Sequence, residues 1–104
     1  MAFFICYVTH PDEACARRIG NAAVEQRLAA CANYFPIGSA YWWDGAVQQE
    51  GEWVSLLKTS TARMPALEAF ILSEHPYDTP CVMRLTANAN IEYENWIEAS
   101  TRGV

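Results

Sequence analysis

"FFICYVTHPD", residues 3–12, decides the architecture. Its first six positions, 3–8, are aromatic, β-branched or otherwise apolar, which is the composition of a strand. Alternation sends Phe3, Ile5 and Tyr7 to one side and Phe4, Cys6 and Val8 to the other. Both sides are apolar, and a strand of that kind is buried on both faces. The next four positions, "THPD" (9–12), fit the S/T-x-x-D/E opening of a helix, with a proline in the first turn. The chain thus begins with a two-faced strand that feeds directly into a helix.

Working outward, helical spacing predicts a helix from Glu13 to Cys31, with an apolar face of Ala16, Ile19, Gly20, Ala23, Val24, Leu28 and Cys31. Gly20 and Ala23 keep that face thin enough to lie close on a sheet. "ANYFPIGSAYWW" (32–43) is strand-like, and Pro36 and Gly38 predict a bend or bulge in it. "DG" (44–45) signals a hairpin turn, with a polar stretch to Gly51 that lengthens the connection. "EWVSLLKT" (52–59) is the next strand. "TARMPALEAFILSEH" (61–75) is a second helix, capped by Thr61, with Met64, Leu67, Phe70 and Ile71 as its core stripe. Pro76 stops it, "CVMRLTA" (81–87) is a fourth strand, and Asn90 caps a last helix bearing Tyr93, Trp96 and Ile97.

The order β-α-β-β-α-β plus a C-terminal helix predicts an α+β, ferredoxin-like sandwich, one antiparallel sheet with two helices on one face. The second face then lacks a cover. The third strand is also apolar on both sides, with Val54 and Leu56 opposing Trp53 and Leu57. A long hairpin bearing Tyr41, Trp42, Trp43 and Trp53 would be an aggregation hazard if left free. Another subunit is the simplest cover, and Tyr41, Trp43 and Trp53 are expected at that subunit contact.

The totals fit this picture. The 104 residues suit one domain, 1–104, and 52% hydrophobic with 18% charged residues is globular. A net charge of −5 argues against nucleic acid as a partner. No apolar run reaches membrane-spanning length, and no positive segment precedes "MAFFICYV", so a cytoplasmic protein is expected. Its four cysteines, Cys6, Cys15, Cys31 and Cys81, are then expected as reduced thiols, and none stands in C-x-x-C spacing. There is no G-x-G-x-x-G, G-K-[ST], G-x-S-x-G or H-x-x-x-H pattern, so no catalytic constellation can be assembled, and neither an enzyme nor an organic cofactor is expected.

Two places carry candidate chemistry. "EHPYDTPC" (74–81) holds Glu74, His75, Tyr77, Asp78 and Cys81 between and beside two prolines. It reads first as a helix stop and rigid turn. As a metal site, Glu74 and His75 point about 100° apart on a helix, so His75 with Cys81 is the better ligand pair. Imidazole and thiolate suit copper or zinc over magnesium or calcium. The second place is Lys58, the only lysine in the chain. It shares a strand face with Glu52, which makes Glu52 a candidate partner within or between chains; structural pairing is the expected role of Lys58, and anion binding in a cleft is the alternative.

"VEQRLAACAN" (24–33), "YWWDG" (41–45) followed by Glu52, "LLKT" (56–59), "HPYDTP" (75–80) and Trp96 occur together and in this order. In these stretches the chain resembles the CutA divalent-ion tolerance family. The resemblance implies a ferredoxin-like fold, a tight homotrimer with sheets facing inward, and kinship with PII signalling trimers. It also implies a link to tolerance of copper and other divalent metals; no catalytic activity is established for the family. Lys58, Glu52 and Tyr77 would then line clefts between subunits, which raises a PII-like small-molecule sensor or a partner-binding scaffold as further expectations. The chain departs from the family pattern at Cys81, where Glu is usual, and at Gly45-Ala46, where Gly-Lys is usual.

Overall fold

The computed structural model describes residues 2–102. Its elements are β1 (Phe3–His10), α1 (Glu13–Glu25), β2 (Cys31–Trp43), β3 (Ala46–Ser60), α2 (Met64–Glu74), β4 (Val82–Ala87) and α3 (Ile91–Thr101). The strands form one antiparallel sheet in the order β2-β3-β1-β4. This is the expected ferredoxin-like layout.

Strand register sorts the side chains onto two faces, because directly opposed residues share a face. Phe4, Cys6, Val8 and His10 stand opposite Thr59, Leu57, Ser55 and Trp53. That face meets α1 and α2: Cys6, Val8 and Leu57 pack with Ile19, Ala23, Met64, Leu67 and Ile71 in the main core. Gly20 belongs to this contact, because a Cβ there would strike the Tyr34 ring, whose hydroxyl donates to Asn21 at 2.6 Å.

The other face carries Phe3, Ile5 and Tyr7 opposite Ser60, Lys58 and Leu56. The expectation that no helix covers it needs correcting at one end. There α3 brings Ile97 and Tyr93 against Phe3, Ile5, Ala30 and Ala87. The rest stays open: Phe35, Trp43, Met83 and Leu85 are all exposed.

Several boundaries also differ from the sequence expectation. Helix α1 begins after Asp12, whose carboxylate accepts from the Cys15 N–H at 2.8 Å, so Pro11 precedes the cap instead of lying inside the first turn. It ends at Glu25, not at Cys31. Arg27 has φ 59°, Leu28 N–H reaches the Ala23 carbonyl at 2.9 Å, and Arg27 N–H reaches that of Val24 at 3.0 Å. That pair of bonds is the Schellman ending of a helix. Helix α2 starts at Met64 with Arg63 at the capping position and no side-chain cap, so Thr61 does not cap it. Strand β2 runs without a bulge through Pro36 and Gly38, which pair in unbroken register with Trp53 and Gly51. Pro36 is tolerated because β2 is the sheet's edge.

The β2–β3 turn is tighter than the polar stretch suggested. Asp44 (φ 53°) and Gly45 (φ 76°) make a two-residue turn with both φ positive, and β3 resumes at Ala46. Only Trp53–Ser60 of β3 pairs with β1, so residues 37–52 project as a two-stranded ribbon. The molecule is correspondingly elongated, 45 × 25 × 20 Å.

Candidate functional site

The ribbon and the turn after α2 bound a cleft of about 960 Å³. Tyr7, Tyr41, Trp43, Glu50, Glu52, Tyr77, Asp78 and Cys81 contribute to its walls, and no lysine or arginine does. Aromatic faces with three carboxylates favour a cation over an anion. Glu52 is nearly buried and accepts from the Tyr77 hydroxyl at 2.8 Å, which ties the 76–81 turn to β3. Burial, then that bond to Glu52, raises the Tyr77 phenol above its ordinary range. Burial and the Glu52 charge likewise raise the Cys81 thiol.

His75 follows α2 with extended backbone, and Pro76 prevents a further turn. The bonds of its ring fix the tautomer. Nε2 lies 2.8 Å from the Thr9 carbonyl oxygen, which can only accept, so Nε2 carries the proton. Nδ1 therefore holds the lone pair, and it accepts from the Tyr77 N–H at 3.1 Å. Both nitrogens are engaged in holding β1 to the turn. Glu74 accepts from Arg18 at 3.2 Å. The expected ligand set of His75, Cys81 and Glu74 is thus not assembled: Glu74 faces α1, His75 is saturated by backbone, and Cys81 lines the cleft. Among the described residues no three His, Cys, Asp or Glu side chains converge as a metal site.

Lys58 and Glu52 share a face as expected but do not pair with each other in this chain. Lys58 Nζ lies 5.5 Å from the centre of the Tyr93 ring, while Glu52 takes Tyr77. The three aromatics expected to act together are split as well. Tyr41 and Trp43 border the cleft on the open face; Trp53 stands on the helix-covered face opposite His10.

Sequence reasoning missed a second cluster, centred on His10. Its ring is fully buried and stacks on His75 with centroids 5.1 Å apart. Nε2 lies 2.8 Å from Ser55 Oγ, and Nδ1 lies 3.6 Å from Cys15 Sγ. Burial first, then the neighbouring His75, lowers the His10 pKa to about 4. Burial raises the Cys15 thiol, against the opposing pull of Arg18. The signal was present in "HPDEAC": a residue ending a strand and one in the first turn of the next helix must lie close together.

Known proteins resemble this chain over nearly its whole length. The family described as CutA1 divalent ion tolerance protein matches residues 4–100. The divalent-cation tolerance protein CutA of Thermotoga maritima is 39% identical over 97 residues, covering 92% of this chain and 96% of that protein. Human protein CutA is also 39% identical, over 100 residues, covering 94% of this chain and 56% of that protein. Among solved structures, CutA1 from Oryza sativa superposes with a TM-score of 0.93 at 34% identity, covering 100% of this chain and 97% of that one. The periplasmic divalent cation tolerance protein CutA from Archaeoglobus fulgidus gives 0.92 at 32% identity, covering 98% of this chain and 100% of that one.

Proposed function

The chain belongs to the CutA1 divalent ion tolerance family, and from that premise we propose that it acts in divalent-metal tolerance as a non-enzymatic, metal-responsive binding protein. The match across residues 4–100 carries this reading. Copper is the proposed leading ion, because the chain offers imidazole and thiol groups that soft metals prefer. The four cysteines are free thiols, which suits the proposed cytoplasmic location, although relatives are named as periplasmic and chloroplastic proteins.

The working unit is a homotrimer. Its subunits would bury the open sheet face, with Tyr41 and Trp43 of the ribbon at the contact. That assembly would place Lys58, Glu52 and Tyr77 near the clefts between chains. His75 would have to give up Thr9 or Tyr77 before it could hold a metal, so the ligands are to be sought beyond the 74–81 turn.

Calorimetry of the purified protein with Cu(II), Zn(II) and, under reductant, Cu(I) tests this function. Saturable binding of at least one ion supports it; no binding of any overturns it. The cleft supports a second reading, a PII-like sensor of small molecules. Thermal stabilisation by a metabolite in metal-free buffer would favour that reading instead.

A further inference from the structure

We propose that the cleft between the ribbon and the turn after α2 binds an alkylated organic ammonium ion, with Glu52 as its counter-charge and the surrounding aromatic rings as its walls. This deepens the small-molecule reading of the cleft and rests on it.

Glu52 carries the inference. It is 7% exposed and stands opposite Ile37 at the base of the ribbon. A carboxylate so nearly buried ordinarily has a cationic partner. None of the ion pairs among the described residues includes it. Its Oε2 accepts from the Tyr77 hydroxyl at 2.8 Å. Its Oε1 has no partner among the described residues, yet no buried side-chain oxygen or nitrogen there is left unsatisfied. Oε1 must therefore open onto the cleft that Glu52 lines. One oxygen is fixed, and the other is free for a ligand.

The surroundings set the chemical class. Glu50 and Glu52 both act electrostatically on Tyr41 and on Tyr77, which places these four side chains together. Trp43 adds a further aromatic group to the wall and Asp78 a third carboxylate, while lysine and arginine are absent from it. An anion would be repelled. A bare metal ion needs several converging ligands, and among the described residues no three His, Cys, Asp or Glu side chains converge. An alkylated ammonium ion is different. Its charge is spread over methyl groups that pack on aromatic faces, and one nearby carboxylate suffices to balance it. The cleft, about 960 Å³, exceeds such a head group and leaves room for the rest of a metabolite.

The rival for Glu52 is the protein's own lysine. Lys58 shares the open face of β3, but at about 3.3 Å per residue it stands roughly 20 Å away, and its ammonium lies over Tyr93. Only a neighbouring copy could bring a lysine to Glu52.

The test is a titration of the full chain with tetramethylammonium at constant ionic strength, followed by calorimetry and amide shifts, with tert-butanol as the uncharged control of similar size. The expected result is saturable tetramethylammonium binding that moves the amides of residues 50–52 and 76–78, with no such response to tert-butanol. Glu52→Gln should weaken binding at least about tenfold. Glu13→Gln makes the same change of charge on α1, in a residue paired with Arg17, and should bind as the wild type does. Tyr77→Phe keeps the ring and should also bind normally, whereas Tyr77→Leu removes it and should bind roughly three- to thirtyfold more weakly. Sedimentation of each variant separates loss of the site from loss of assembly, and the Tyr77 pair decides the matter if Glu52→Gln fails to fold. Equal binding of tert-butanol, wild-type affinity in Glu52→Gln, or binding that appears only in Lys58→Met overturns the ammonium site. The last result would mean that a neighbouring copy's lysine fills it. Stabilisation of the wild type by an anionic or neutral metabolite, without tetramethylammonium binding, overturns the site and leaves the small-molecule reading standing. Stabilisation by no compound, charged or neutral, overturns both.

Discussion

Burial of His10 beside Ser55, Cys15 and His75 holds its pKa at about 4, against 6.5 for an ordinary histidine. The sign follows from that depression. Above pH 6.5 the ring is neutral in both folded and unfolded chains, and the fold has its full stability. Between pH 6.5 and 4 the unfolded chain takes up a proton that the folded chain refuses, so stability falls as pH falls. Denaturant titrations should show a loss of about 2 kcal/mol on going from pH 7.5 to pH 5, at roughly 1.4 kcal/mol per pH unit. His10→Asn should flatten that dependence even if it lowers stability at neutral pH. An equal slope in the variant would assign the dependence to other groups. Cys6 lies outside this chemistry, because burial pushes its thiol up to about 12 and leaves it a core residue.

At the scale of elements, the chain end of α1 shows what was and was not legible. The apolar spacing of Ala16, Ile19, Gly20 and Ala23 located the helix and its buried face correctly. Its end was hidden because the left-handed position carries Arg27, where glycine is the usual marker. Relieving that conformation with Arg27→Gly should add up to about 1 kcal/mol to stability. The gain is set against loss of the Arg27 bond to the Ser100 carbonyl at 3.0 Å. Net destabilisation in equilibrium unfolding would mean that this tie outweighs the backbone strain. Pro36 misled for a related reason: a proline signals an interruption only when the strand has neighbours on both sides, and edge position cannot be read from local sequence. The candidate site was legible in part. Of the expected cleft residues Lys58, Glu52 and Tyr77, Glu52 and Tyr77 line one cleft and Lys58 lies over Tyr93 instead; the link from Tyr77 to Glu52 spans 25 positions and the stacking of His10 on His75 joins separate elements. Contacts of that kind follow from strand register, which no local pattern supplies.

For the whole molecule, the unresolved balance lies on the open sheet face. Alternation in β1 and β3 announced two apolar faces, and α3 covers only the Phe3 end of the second. Phe35, Met83, Leu85 and the ribbon's Trp43 remain exposed, with Trp43 at 48%. A free two-stranded ribbon is marginal in water, and its aromatic residues make it a natural arm for another chain. If Trp43 anchors such a contact, Trp43→Ala should cost about 2 kcal/mol or more of association, seen as a lower melting temperature and a looser oligomer. An unchanged melting temperature would put Trp43 outside the interface.

Sedimentation equilibrium at low micromolar concentration, with circular dichroism on the same sample, tests the trimer most directly. The prediction is a single species of three times the 11.7 kDa chain mass that does not dissociate before unfolding. A monomer with native circular dichroism would contradict it, because the open face would then be stable in water without a partner.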